Sequence, residues 1–456
     1  MIPRGLALLR EIRSDPLGLA QRLQAEHGDL AHLAVLGTRI CYLFDPDAAR
    51  AVLVDHHSDF AKDERLLSLF QSVHGRNVIS TEGSEWERQR RLLKPAFAPR
   101  RLAGYAALMA AATADGIAEA LPRNPGDSAV VDAGHLTTRI TMDVILRALF
   151  SYRGTREQAE AVGRAMRGLT RQMMRELFWP LRPPTWAPFP GRTAKARNLA
   201  VIHALVDAQI QQRRQQATAG SDAGIDILGL LLAARDDVSS EALDDREIRD
   251  NCIGLFGAGH DTSASALTWW LGLMAAHPRV AQDVRDSLQD GTDDARSPLL
   301  VATLKEAMRL YPPSTATFSR RALRDVRIGR HAIASGTIAV IPIWSLHRDR
   351  RWFPAPEAFR PERFLPGAPE IPRGAFMPFG VGPHFCLGQQ FAMVEMALVA
   401  GALIRDYDLA LDAGAPLPEP RVDLVLKPEQ PIAVRFTRRN GAVASPRPAA
   451  GTSAAA

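Results

Sequence analysis

Cys386 is the side chain with the most reactive chemistry to offer. It stands in FMPFGVGPHFCLGQQFAMVEMALV, where Phe379, Gly380, Gly382 and Pro383 make a turn-rich loop and a helical pattern sets in from Leu387. A thiol at the start of a helix meets free backbone N–H groups and the positive end of the dipole, which lower its pKa and favour the thiolate. Gly382 and Gly388 remove side chains on either side, so a flat group could approach the sulfur. A cysteine without such surroundings is ordinarily an inert buried hydrophobe. Cys41 and Cys252 are too distant in sequence to build a disulfide framework or a CxxC metal site with it, which fits a reducing cytoplasm.

Other constellations carry weaker signals. In AGHDT, Asp261 and Thr262 bring an acid and an alcohol to the middle of a long apolar stretch. Such a pair can relay protons, or simply hydrogen-bond to nearby backbone. Gly257 and Gly259 weaken a helix there, which means either close helix packing or a group approaching the backbone. In LLVATLKEAMRLYPP, Ser297 and Pro298 start a helix and Pro312 and Pro313 end it, placing Glu306 and Arg309 on one face. In isolation that pair is a surface ion pair of little value. Trp86 and Arg90 share a helical face in GSEWERQRRLLKPAF, and Arg320 lies five residues before Asp325; each arginine alone would be an ordinary solvated charge.

Taken together, Phe379, Gly382, a basic residue at 384, Cys386 and Gly388 resemble the haem-binding signature of the cytochromes P450. The resemblance runs from about Leu30 to Phe436, and it implies haem b with Cys386 as the axial ligand of its iron. His384, where the family commonly has arginine, would hydrogen-bond a haem propionate; Trp86, Arg90 and Arg320 match further propionate-binding positions. Glu306 and Arg309 would lock with Arg363 of Pro361-Glu362-Arg363-Phe364 in a structural network behind the haem. AGHDT resembles the oxygen-activating turn, with Asp261 and Thr262 delivering the protons that O2 cleavage consumes, and Ala258 and Gly259 leaving room for oxygen and a water.

The implied reaction places one oxygen atom of O2 in a C–H or C=C bond of a lipophilic molecule of terpenoid, steroid, fatty-acyl or polyketide size. The expected pocket draws on a Leu66 to Ile79 loop, the Met173 to Trp179 region, the long helix and Ser314 to Phe318. Phe70, Met173, Phe178, Phe256, Ala258 and Phe318 would line it. A haem protein that only senses a ligand would not need the acid and alcohol at 261 and 262, and the pair equally disfavours a peroxygenase or isomerase on the same fold. Because the chain ends shortly after the haem region, electrons are expected from a separate ferredoxin and ferredoxin reductase or their equivalent. Arg91, Lys94, Arg100 and Arg101 are the candidate docking charges.

These residues need a scaffold. The 456 residues are 46% hydrophobic and 23% charged, ordinary for a globular protein. The expected fold is mainly α with small β-sheets, the cytochrome P450 fold, in one domain over 1–440, followed by a disordered Ala/Pro-rich tail over 441–456. The stretch DDREIRDNCIGLFGAGHDTSASALTWWLGLMAAHP predicts one long buried helix, HLAVLGTRICYLFDP a hairpin about Gly37, and VRIGRHAIASGTIAVIPIW two strands. The prolines from Pro180 to Pro190 mark an irregular connection that could act as a lid. The net charge of +6 is spread along the chain, so nucleic acid is not an expected partner. The N-terminus breaks its apolar residues with Arg4, Arg10, Glu11 and Arg13, which predicts neither a secretory leader nor a membrane span.

Overall fold

The computed structural model describes residues 4–35, 37–152, 156–179, 189–218, 226–288, 294 and 297–440. The expected tail at 441–456 and most of the expected lid, at 180–188, lie outside the described residues. Helices dominate, and one of them organises the rest. It runs Asp245–Ala276, 32 residues and so about 48 Å long at ~1.5 Å per residue. A capping box starts it: the Glu247 N–H donates to the Asp244 carboxylate (2.7 Å), and the Glu247 carboxylate accepts from the Asp244 N–H (3.0 Å). His277, which precedes Pro278, leaves the helical region and ends it.

The long helix is buried along most of its length, with Trp269 and Trp270 fully enclosed. The helix Ala133–Phe150 packs along it. Threonines stitch the two together: Thr137 Oγ1 meets Thr268 Oγ1 at 2.8 Å, and Thr141 Oγ1 donates to the His260 carbonyl at 2.9 Å. A Cβ at Gly259 would lie 2.8 Å from Ile145 Cδ1, so close packing is what requires that glycine. Among the described residues, no helix is long and apolar enough to cross a membrane.

The strands Leu30–Val35, Thr38–Leu43, Ile338–Val340, Arg320–Ala322 and Phe60–Lys62 form one sheet in that order. The hairpin expected about Gly37 is its edge. The stretch 326–340 holds three strands rather than the expected two. Gly329, at φ +55°, folds Val326–Ile328 back on His331–Ile333, and Gly336, at φ +77°, releases Ile338–Val340 into the larger sheet. In that sheet Lys62 stands directly opposite Arg320. Two like charges facing each other across a ladder are destabilising unless an anion joins them. A smaller hairpin, Pro420–Val422 with Leu426–Pro428, reaches toward the middle of the long helix.

The segment expected to be a loop from Leu66 to Ile79 begins instead as the helix Glu64–His74. Asp63 caps it, its carboxylate accepting from the Leu66 N–H at 3.2 Å, and Gly75 closes it at φ +71°. The acid before the stretch and the glycine after it are local start and stop signals for a helix.

Candidate haem site and adjoining cavity

The loop bearing Cys386 is tied down by its own backbone. The Gly380 N–H donates to Met377 O (3.0 Å), Phe385 N–H to Gly382 O (3.1 Å), and Cys386 N–H to Phe379 O (2.9 Å). Gly382 has φ +79°, and a Cβ there would sit 2.1 Å from Leu53 O. That glycine therefore admits the neighbouring 51–55 backbone, rather than clearing space beside the sulfur as its sequence position implied. Gly388 does leave an open side, since Phe97 at 3.9 Å is the nearest atom its Cβ would meet.

The helix beyond starts at Gln389, with Gly388 as its cap. Burial pushes the Cys386 thiol up, against the opposing pull of the Gly388 N–H and Arg90. The expected low thiol pKa is thus not a property of this loop alone, because desolvation outweighs the helix terminus. Cys386 nevertheless keeps accessible surface, so its side chain is open to an approaching group.

Behind the loop, Glu306 and Arg309 are fully buried on the helix Pro298–Leu310 and pair through two hydrogen bonds, at 2.7 and 2.8 Å. Arg363 Nε reaches Glu306 at 3.4 Å, and the Arg360 N–H donates to the same carboxylate at 2.9 Å. Arg309 also donates to His347 O at 2.9 Å. His347 in turn accepts from the Met377 N–H through Nε2, at 2.9 Å. Burial, followed by Arg309 and Arg348, holds His347 down to about 3, which keeps that ring nitrogen free to accept. The ion pair is thereby connected to the first residue of the thiol loop through a histidine that carried no signal of its own in the sequence.

On the other side of Cys386, cations outnumber acids. Lys62 and Arg320 are both buried, and burial lowers the pKa of each. Glu82 is the one carboxylate within ion-pair distance of Lys62 among the described residues, at 3.3 Å. The Lys62 ammonium also donates to Ile79 O and Thr81 O, both at 2.9 Å, so it lends charge more than free donors. Arg320 donates to Phe318 O at 2.7 Å. His384 stacks near Trp86, ring centroids 3.9 Å apart, and its buried Nδ1 has no hydrogen-bond partner among the described residues. Burial, with Lys62, Arg320 and Arg90 adding to it, depresses His384 to about 2. Arg90 lies over the Trp86 and Phe385 rings and donates to Phe385 O at 3.1 Å.

Buried cations and an orphaned imidazole nitrogen are costly unless anions meet them. A flat apolar ring carrying two carboxylates, as haem does, meets that requirement beside an accessible cysteine. The residues present therefore fit the group. Lys62 and Glu82 were not found from the sequence, because a lone lysine and a lone glutamate carry no spacing signal.

A cavity of about 680 Å³ adjoins the middle of the long helix. Phe70, Phe178, Ala258 and Phe318 line it, together with Asp261 and Thr262. Thr262 Oγ1 donates to Ala258 O at 2.7 Å, and Asp261 pairs with Lys427 at 2.8 Å. Met173 and Phe256, expected in this wall, are buried in the helical core instead. On the helix Arg156–Leu177 the apolar row facing the cavity is Met166, Thr170 and Met174, continued by Phe178 just past its end; Met173 precedes that row by one residue, about 100° round the axis. Phe256 likewise precedes Gly257 and stacks on His260 at 5.0 Å. The hairpin at 420–428 supplies a wall not foreseen. Arg91, expected on a docking surface, is exposed but its guanidinium is taken by a two-point ion pair with Asp236 at 2.8 and 3.0 Å; Lys94 and Arg100 are exposed as well.

Comparison with known proteins agrees with this geometry. The cytochrome P450 family profile matches residues 5–436. Cytochrome P450 132 of Mycobacterium tuberculosis is 30% identical over 429 residues, 90% of each chain. Cyclooctat-9-en-7-ol 5-monooxygenase of Streptomyces melanosporofaciens is 30% identical over 409 residues, 86% of this chain and 85% of its own. Cytokinin hydroxylase of Arabidopsis thaliana is 30% identical over 415 residues, 86% of this chain and 79% of its own. A family match of that length, with monooxygenases and hydroxylases among the relatives, places the chain in the cytochrome P450 family as a monooxygenase whose cofactor is haem b.

Proposed function

We propose that the chain oxygenates a lipophilic small molecule of terpenoid, steroid, fatty-acyl or polyketide class, working in the cytoplasm as one haem domain over residues 1–440. The observation that carries this is the cavity whose wall contains both Thr262 and Asp261 and the apolar side chains Phe70, Met174 and Phe318. The Streptomyces relative, named for cyclooctat-9-en-7-ol, supports a cyclic apolar substrate without choosing it.

When bound, haem b supplies the redox centre at which one atom of O2 goes to the substrate and the other to water. In this reading Cys386 is the iron ligand, Arg320, His384, Trp86 and Arg90 hold the haem carboxylates, and Phe379 fixes the Cys386 backbone. Glu306, Arg309 and Arg363 keep the thiol loop in place. Asp261, steadied by Lys427 at the cavity wall, takes protons from solvent and passes them to Thr262 Oγ1. Ala258 keeps the wall beside Thr262 small. Electrons come from a ferredoxin and its reductase, and exposed Lys94 and Arg100 suit an acidic partner.

The test is Thr262→Ala in a reconstituted system, comparing product formed with NAD(P)H consumed. Haem and substrate binding are expected to persist while the coupled fraction falls about tenfold or more, with hydrogen peroxide accounting for the difference. Unchanged coupling would remove Thr262 from the proton path.

A further inference from the structure

The cavity wall carries a charge imbalance that an apolar substrate does not explain. Six basic and two acidic side chains line it. Both acids are already matched, Asp261 by Lys427 at 2.8 Å and Asp423 by Arg421 at 3.0 Å. Arg13, Arg167, Arg171 and Arg175 remain. Three of these come from the helix Arg156–Leu177 at four-residue intervals, a single row about 12 Å long at ~1.5 Å per residue. Like charges at that spacing weaken a helix, and an interleaved acid is the usual remedy.

No such acid serves here. Glu176 is taken by Lys195 at 2.9 Å, and Glu160 lies 3.6 Å from Arg164, N-terminal to the row rather than within it. Arg167, Arg171 and Arg175 have no carboxylate within ion-pair distance among the described residues; Arg175 reaches only Pro190 O, at 3.4 Å. Beside the cationic row runs the Met166, Thr170 and Met174 row of the same helix, continued by Phe178 just past its end and also facing the cavity. One helix thus presents an apolar strip and a cationic strip, side by side, to one chamber.

We propose that the substrate is an amphiphile with a carboxylate: its apolar body lies against Phe70, Met166, Met174 and Phe318, and its carboxylate is held by Arg171 with Arg167 or Arg175. Guanidinium groups suit a planar carboxylate because they can donate two parallel hydrogen bonds to it. The proposal rests on the reading of this cavity as the substrate chamber and narrows the substrate class.

Calorimetric titration of the haem-loaded protein decides it, using dodecanoate against dodecan-1-ol and dehydroabietate against its methyl ester. At least one acid is expected to bind about tenfold more tightly than its neutral partner, with the gap shrinking as salt rises. The gap should close in the Arg167→Gln/Arg171→Gln double variant, persist in Arg171→Lys, and be untouched in Arg164→Gln. Acids that bind no better than their neutral partners, no binding by either acid, or a gap that survives the double variant would overturn the proposal. Haem spectra of the same samples separate the two levels of inference. Neutral ligands that perturb the haem without an acid preference leave the chamber reading intact, whereas ligands that bind without perturbing it remove that reading.

Discussion

The two sides of the proposed haem site are built differently. On the Cys386 side, adjacent residues form a hydrogen-bonded loop, and the fully buried Glu306 and Arg309 stand behind it, joined to it by His347. On the cavity side, contributions come from the helix Arg156–Leu177, the long helix and the hairpin at 420–428; Asp261 there is paired through Lys427 alone, and Arg167, Arg171 and Arg175 are exposed. A site whose parts are close in sequence or buried together tolerates little change. A wall assembled from distant elements can be altered one side chain at a time, which is where a family with one chemistry varies its substrates.

The contrast is sharpest for Arg309. Replacing it with Leu leaves Glu306 charged in the core with only the 3.4 Å contact of Arg363 as an ionic partner, a change worth about 3–5 kcal/mol, and urea unfolding should register it together with loss of haem. Replacing both Glu306 and Arg309 with apolar residues should cost less. A single variant within about 1 kcal/mol of wild type would show that the network does not stabilise the fold.

A smaller effect is expected from Glu395, on the helix Gln389–Asp406. Burial raises it to about 8, despite the Ser263 hydroxyl, and its Oε1 has no hydrogen-bond partner among the described residues. The folded state then keeps a proton that the unfolded chain releases above its ordinary glutamate pKa, so stability falls as pH rises from about 4.5 to about 8. Glu395→Gln should remove that slope, a gain on the order of a few kcal/mol at pH 8. Unfolding curves at pH 6 and pH 8 that shift equally in both proteins would contradict it. The smallest effect belongs to the surface: Lys94→Glu or Arg100→Glu should slow reduction by a ferredoxin a few-fold at low salt and leave substrate affinity unchanged. Stopped-flow rates insensitive to both mutation and salt would mean that docking occurs elsewhere.

Legibility in the sequence follows the same division. Cys386, Glu306, Arg309 and Arg363 could be found because their neighbours stand at fixed short spacings. The long helix was legible from Asp244 to Pro278, since caps and an unbroken apolar stretch are local features. Lys62 could not be found, because its meaning comes from standing opposite Arg320, 258 positions later, in a sheet of short strands. Met173 and Phe256 were misplaced for a related reason. Large apolar side chains suit a cavity wall and a core equally, and one residue of helical phase decides between them. The arginines at 167, 171 and 175 were visible as residues, but only the fold shows that they share a chamber with Thr262.

The central claim is that Cys386 holds the haem iron as a thiolate. Its most direct test is the carbon monoxide difference spectrum of the reduced protein, wild type beside Cys386→Ala. Wild type should show the red-shifted Soret band from which the family takes its name, and the variant should lose it. A band that persists in the variant, or that wild type lacks when fully loaded with haem, would contradict the account.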